Sequence, residues 1–246
     1  MLTHRWQLPR SERVIDSPRY GETGIGDEMD WELGQEQQRH WKRTYSEHPA
    51  MYGSSASEPG AYAIELFARQ SLRSVLELGA GQGRDTIPML EAGLRVTALD
   101  YVEEGLAEIR SRGAHFGAQL QTVLYDVRDP LPFADALFDA CYSHMLFNMA
   151  LTNAELVALS REVARVLRPG GVVIYTVRHT GDAHYGVGVD HGENRYENGG
   201  FVVHFFDREL VTGLAEGFRI DEVVEFIEGE LPRRLFRVTM TRLPTN

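Results

Sequence analysis

Residues Val75-Leu-Glu-Leu-Gly-Ala-Gly-Gln-Gly-Arg-Asp85 form a short apolar run that ends in three glycines at alternate positions. A strand that runs into Gly79, Gly81 and Gly83 is set up to turn tightly, because glycine takes positive φ without a Cβ penalty. Residues Arg84 to Ala92 then carry a helical pattern closed by Gly93. This strand–turn–helix lets a ligand lie against bare backbone, with the N–H groups of a helix start pointing at it. A strand of this kind needs a sheet around it, and the remaining sequence supplies one.

Arg95–Asp100 reads as a second strand, Val102–Arg112 as a second helix, Gln121–Tyr125 as a third strand and Phe138–Ser143 as a fourth. Thr152, with Glu155 three residues on, has capping-box spacing. The helix it starts places Leu156, Leu159, Val163, Val166 and Leu167 on one face and stops at Pro169-Gly170-Gly171, before a fifth strand at Val172–Val177. Near-continuous apolar strands alternating with helices predict a mostly parallel sheet buried on both faces. The tail differs. A helix over Asp207–Glu216 is followed by strands at Arg219–Ile227 and Arg234–Thr241, joined by a loop too short for a parallel crossover.

The amino-terminal part stands apart and holds all three tryptophans, Trp6, Trp31 and Trp41. Residues 1–28 show neither helix nor strand period and read as irregular. Trp31–Glu47 is helix-permissive, with Trp41 and Tyr45 on one face, and His48-Pro49 ends it. A loop over 53–60 leads into a helix over Tyr62–Ser71.

Composition limits the partners. The 246 residues carry a net charge of −11, which argues against sequence-blind binding to nucleic acid. No run of eighteen apolar residues suggests a membrane span, and Met1–Arg10 lacks a signal-peptide core. A cytoplasmic protein is expected. The single Cys141 excludes an internal disulfide and reads as a small core residue of the fourth strand.

The dinucleotide fingerprint G-x-G-x-x-G fails, because Arg84 stands at its sixth position. The spacing G-x-G-x-G after an acidic strand residue, Glu77, instead resembles motif I of the class I S-adenosylmethionine-dependent methyltransferases. Further motifs follow in order. Asp100 ends the second strand, 21 positions past Gly79. Asp126-Val127 follows the third, Phe138–Met145 matches the fourth-strand motif, and Leu167-Arg-Pro-Gly-Gly-Val172 matches the turn before the fifth. The resemblance spans roughly residues 70–242 and is to the small-molecule, type 11/25-like members.

That resemblance implies an α/β fold. It would be a Rossmann-like, doubly wound, seven-stranded, mostly parallel sheet with an antiparallel C-terminal strand and an N-terminal helical cap. Residues 1–58 would form the extension and cap, and residues 59–246 the S-adenosylmethionine-binding domain. The implied cofactor residues are Glu77, Gly79, Ala80, Gly81, Gly83, Asp85, Asp100, Tyr101, Asp126, Val127 and Ser143. Asp100 would bind the ribose hydroxyls, since a carboxylate accepts from two vicinal hydroxyls at once. Asp126 would meet the adenine amino group, and Ser143 the methionine part through its backbone. Glu77 has two readings, ligand contact or a bond to the glycine loop and nearby water, and Asp85 has two, cofactor contact or a helix cap.

Two segments can close over a methyl acceptor: the N-terminal part with Trp41, Tyr45 and Tyr52, and the connection over residues 178–200, which shows no regular pattern. A loop this long at the carboxyl end of a strand is placed for function. Arg178, His179 and His184 are the acceptor-binding candidates, with Tyr185, His191 and Arg195 beside them. His144, directly after the fourth strand, is the candidate base. His179, His184, Asp190, His191 and Glu193 match no compact zinc spacing, so no metal is expected. The expected chemistry is in-line transfer of a methyl group to a small molecule. The partner is that acceptor, without nucleic acid or membrane, and a homodimer is compatible with the sequence. Two alternatives are a catalytically silent S-adenosylmethionine-binding protein of the same fold and a nicotinamide-dependent oxidoreductase.

Overall fold

The computed structural model describes residues 25–49, 51, 53, 55–229 and 233–244, with side chains from residue 29 onward. Expectations for Trp6, Tyr52 and the 230–232 turn lie outside these residues. In chain order the elements are α1 (Ile25–Glu47), α2 (Glu58–Arg69), β1 (Ser74–Leu78), α3 (Thr86–Glu91), β2 (Arg95–Asp100) and α4 (Glu103–Gly113). A short 3-10 turn leads to β3 (Leu120–Leu124), β4 (Phe138–His144), α5 (Asn153–Val166) and β5 (Leu167–Arg178). Then come β6 (Val189–Asp190), β7 (Arg195–Asn198), β8 (Phe201–His204), α6 (Arg208–Gly213), β9 (Phe218–Glu228) and β10 (Arg233–Arg242).

The main sheet has seven strands in the order β3-β2-β1-β4-β5-β10-β9. β1 to β5 pair in parallel, and β10 runs antiparallel to both β5 and β9. The chain reverses direction of travel across the sheet between β1 and β4. In open α/β sheets this switch point leaves a crevice at the carboxyl ends of the strands. Here those ends are Gly79 and His144.

Side-chain alternation along each strand divides the core in two. Leu76, Leu78 and Cys141 pack with Phe147, Tyr175 and the inner face of α5. Val75, Ala140 and Tyr142 pack on the opposite face with Phe67, Met89, Leu106 and Ile109. The α5 start is the capping box foreseen. Glu155 N–H donates to Thr152 Oγ1 at 3.1 Å, and Thr152 N–H donates to Glu155 Oε2 at 2.8 Å.

Three expectations need correction. α1 begins at Ile25, inside the stretch read as irregular, and is one helix through Glu47. β5 begins at Leu167, so the Pro169-Gly170-Gly171 turn is an irregularity within the strand, between the Phe138↔Leu167 and Ala140↔Val172 pairs. Residues 178–200 are not structureless, because β6, β7 and β8 build a small antiparallel sheet there. Glycines at 186, 188, 192, 199 and 200 all take positive φ and make its tight turns, which hid the strand period in the sequence. No described helix is long and apolar enough to cross a membrane.

One glycine unnoticed in the sequence fixes α4 against the crevice. A Cβ on Gly105 would overlap the carbonyl oxygen of Gly81. Helix α4 therefore packs backbone to backbone on the glycine turn. We expect Gly105→Ala to destabilise the fold by about 2 kcal/mol in urea unfolding, as overpacking against fixed backbone does. A neutral substitution would show that α4 does not brace the turn.

Candidate active site

The floor of the crevice is the turn after β1. Gly79 and Ala80 N–H both donate to Leu99 O, at 2.9 and 3.1 Å. Gly81 N–H donates to Asp100 Oδ2 at 2.8 Å, and Val102 N–H donates to Asp100 Oδ1 at 2.9 Å. Gly79 and Gly81 hold φ of +72° and +53°, and a Cβ on either would come within 2.9 Å of Leu146 or Tyr45. The turn thus offers bare backbone to the space above it. Gly83 instead packs against Ile109 of α4 and serves the turn itself.

Two buried carboxyls lie beneath. Asp100 is 5% exposed, and burial pushes its pKa up to about 6 against the pull of the Gly81, Val102 and Tyr101 N–H groups. Burial pushes Glu77 further, to about 8, although Thr86 Oγ1 donates to it at 2.5 Å; Asp85 and Asp100 nearby add to the rise. Glu77 reaches the cavity wall, and its hydrogen bond goes to Thr86 and not to the N–H groups of the glycine loop. Asp85 does not cap α3. It lines the cavity floor and is held from the core side, where Ser57 N–H, Ser57 Oγ–H and Tyr142 O–H donate to it at 2.7, 2.9 and 2.8 Å. This anchors the start of α2 to the sheet.

A cavity of about 630 Å³ opens above the turn, within the range of small-ligand sites. A small lobe of about 30 Å³ adjoins it. It is bounded by Asp126, Val127 and Arg128 and shares Gly79, Asp100, Tyr101, Leu146 and Met149 with the larger space. Asp126 is paired there with Arg128 at 2.9 Å. Helix α1 roofs this side: Gln37 lines the lobe, and Gln38 Nε2 donates to Tyr101 O at 2.8 Å.

The far wall is aromatic. Trp41, Tyr45, Tyr196, Phe201 and Phe205 line it, with Trp41 centred 5.0 Å from Phe201 and 5.4 Å from Tyr45. Arg178 also faces the cavity. It grips buried Asp182 through two nitrogens, donates to His184 Nδ1 at 2.8 Å and lies 5.1 Å from the Phe205 ring centre. Burial would raise Asp182, but the hydrogen bonds from Arg178, His184 N–H and Arg234 N–H outweigh it and hold the carboxyl at about 2.

Besides Gly83, two expected residues are not brought to the cavity. His179, next to Arg178 along the chain, stacks on Phe236 with ring centres 4.4 Å apart and lines neither lobe. Ser143 is fully buried in β4, and its hydroxyl has no hydrogen-bond partner among the described residues. His144, Met145 and Leu146 line the cavity in its place. Among the described residues, no three His, Cys, Asp or Glu side chains are arranged to hold a metal ion. Arg195 pairs with Asp30 at 2.7 Å, and His191 faces Glu197 at 3.0 Å.

His144 reaches the cavity with both ring nitrogens occupied. Nδ1 lies 2.8 Å from Thr176 Oγ1, and Nε2 lies 3.4 Å from Glu228 Oε1. Arg84 donates to the same Glu228 oxygen at 3.2 Å. Burial alone would raise Glu228, yet the His144 and Arg84 contacts carry it down to about 2.

Residues 75–171 match a family model described as "Methyltransferase domain". This stretch therefore carries a methyltransferase domain like that of the class I S-adenosylmethionine-dependent enzymes. The cypemycin N-terminal methyltransferase of a Streptomyces species is 37% identical over 122 residues, covering 48% of each chain. The malonyl-[acyl-carrier protein] O-methyltransferase of Erwinia billingiae is 29% identical over 142 residues, covering 58% of this chain and 52% of that one. The chain thus spans about half the length of these relatives. The solved 1,6-didemethyltoxoflavin-N1-methyltransferase of Burkholderia thailandensis shares the fold with a TM-score of 0.70 at 21% identity, covering 94% of both chains.

Within this methyltransferase fold, sequence reasoning missed Glu228, Arg233, Ser57, Tyr142 and the aromatics of β7 and β8. Period-2 alternation after β5 could have separated Arg178 from His179. Nothing local marks Glu228, which reads as one of many surface acids of the tail. The buried acids give a test. A carboxyl whose folded pKa is raised keeps its proton longer than in the unfolded chain, so stability falls as pH rises between the two values. For Glu77 that window runs from about 4.5 to about 8. We expect Glu77→Gln to gain on the wild type by roughly 5 °C or more in melting temperature between pH 5 and pH 8. Parallel melting curves across that range would refute a buried, protonated Glu77.

Proposed function

We propose that the protein transfers a methyl group from S-adenosylmethionine to a small-molecule acceptor. The observation that carries this reading is the single cavity over the glycine turn, with Asp100 at one end and an aromatic wall at the other. The bare backbone of Gly79, Ala80 and Gly81, with Glu77 beside it, takes the methionine part of the cofactor. Gly83 and Asp85 act from beneath, by holding the turn and its support. Asp100 takes the ribose hydroxyls, Tyr101 flanks them, and Asp126 with Val127 takes the adenine in the smaller lobe. Ser143 acts through the β4 backbone. Trp41, Tyr45, Arg178 and His184 bound the acceptor, and His144 acts on it through Glu228. His179 keeps only a supporting role, behind Arg178.

When bound, the cofactor supplies an activated methyl and a neutral thioether leaving group. The chain's own work is to hold two reactants in line and keep water away. The α1 roof and the β6–β8 sheet suit that task, since both stand over the strand ends. The Burkholderia thailandensis neighbour, with 1,6-didemethyltoxoflavin and S-adenosylhomocysteine bound, supports a small acceptor. The net charge of −11 favours leaving nucleic acid out and accords with a cytoplasmic setting. We carry the division into residues 1–58 and 59–246 as part of this reading. Ser57 belongs with the second unit, through its bonds to Asp85.

Calorimetric titration tests the cofactor. S-adenosylmethionine should bind, and Gly81→Val and Asp100→Ala should each weaken it more than tenfold, about 1.4 kcal/mol or more. Val at position 81 adds bulk against Tyr45 at a positive φ, and Ala at position 100 removes the ribose acceptor. Tight binding of NADH without S-adenosylmethionine, or unchanged affinity in both variants, would overturn the assignment.

A further inference from the structure

The hairpin of β9 and β10 brings Glu228 and Arg233 directly opposite each other at the cavity edge. Both donors to Glu228, Arg84 and His144, meet Oε1; no described donor bonds Oε2. One ionised carboxylate oxygen is therefore left for whatever enters. Thr176 is fully buried and closes off His144 Nδ1, while His144 Nε2 faces Glu228. His144 thus has no nitrogen open to an acceptor and serves as a positioning residue for Glu228.

Resting on the cofactor reading above, we infer that the acceptor is a neutral, flat nitrogen aromatic bearing an N–H, and that Glu228 Oε2 accepts from that N–H. Three features select this class. The aromatic wall of Trp41, Phe201 and Phe205 suits a flat ring. Arg233, directly opposite Glu228 and without an ion pair among the described residues, disfavours an ammonium at that carboxylate. The free oxygen of Glu228 repels a carboxylate but accepts an N–H. Arg233 makes no ion pair with a described residue and is free to donate to a ring carbonyl or ring nitrogen beside that N–H.

The step balances. The ring nitrogen forms a bond to the methyl carbon as the carbon–sulfur bond breaks, its electron pair staying on sulfur as a neutral thioether. The attacking nitrogen is the ring's imine-type one; positive charge spreads to the N–H nitrogen, the hydrogen bond to Glu228 Oε2 stabilises it, and the acidified proton is released to solvent. A carboxylate held at about 2 stays ionised and acts as a hydrogen-bond acceptor for the developing positive charge, not as the final base.

The test uses the full chain saturated with S-adenosylhomocysteine, and benzimidazole, 1-methylbenzimidazole and benzoate as probes. Benzimidazole should bind at least tenfold more tightly than its N-methyl derivative and than benzoate. Glu228→Gln and His144→Ala should both shrink the benzimidazole preference, the first to within about threefold. Equal affinity for the two benzimidazoles, tighter benzoate, no saturable benzimidazole binding, or an undiminished preference in a folded Glu228→Gln variant would each overturn the inference. If Glu228→Gln does not fold, the wild-type preference decides alone. A protein that takes up no S-adenosylhomocysteine refutes the cofactor reading, and this inference with it.

Discussion

The site depends on one carboxylate, Asp100, holding two backbone N–H groups at once. Through Gly81 it fixes the turn after β1, and through Val102 it fixes the entry to α4. Two neighbouring strands and two helices are thereby tied at the switch point of the sheet. Burial works against this anchor, raising Asp100 to about 6, and the N–H groups of the turn are what keep the ionised form accessible. The acid that shapes the turn also lines the cavity.

Glu77 and Asp85 surround this anchor and divide the work differently. Asp85 has its oxygens filled by Ser57 and Tyr142, which binds the start of α2 to the sheet. Glu77 has a single hydroxyl partner and is pushed up to about 8 by burial. A group poised near neutrality beside an open cavity is readily drawn to its ionised form by a cation, because opposite charge lowers a carboxyl's pKa. The protonated form spares the empty crevice the cost of a second buried charge beside Asp100.

Much of this was legible in the sequence. The glycine spacing, β1 to β4 and the Thr152–Glu155 box all follow from local chemistry: positive φ, apolar runs and a short-range cap. What was illegible depends on direction or distance. The cap reading of Asp85, one of its two, rested on local spacing, whereas its partners lie 28 and 57 residues away. Ser143 and His144 are neighbours on one strand, and only the fold reveals which of them meets the cavity. Glycine-rich residues 178–200 looked structureless, since five positive-φ glycines interrupt strands only two to four residues long.

The boundary between the legible and illegible parts coincides with a division of labour. The family match ends at residue 171, and it contains Gly79, Gly81, Asp100, Asp126 and His144. Trp41, Tyr45, Arg178, His184, Phe201, Phe205 and Glu228 all lie outside it. Cofactor geometry is built on the ends of buried parallel strands, where neighbouring strands constrain every position. The acceptor wall is built on α1, the β6–β8 sheet and the β9–β10 hairpin. These elements stand over the strand ends, and β10 also gives Phe236, Val238 and Met240 to the core. Sequence likeness therefore speaks to the methyl donor, and the acceptor has to be read from the chemistry of the added walls.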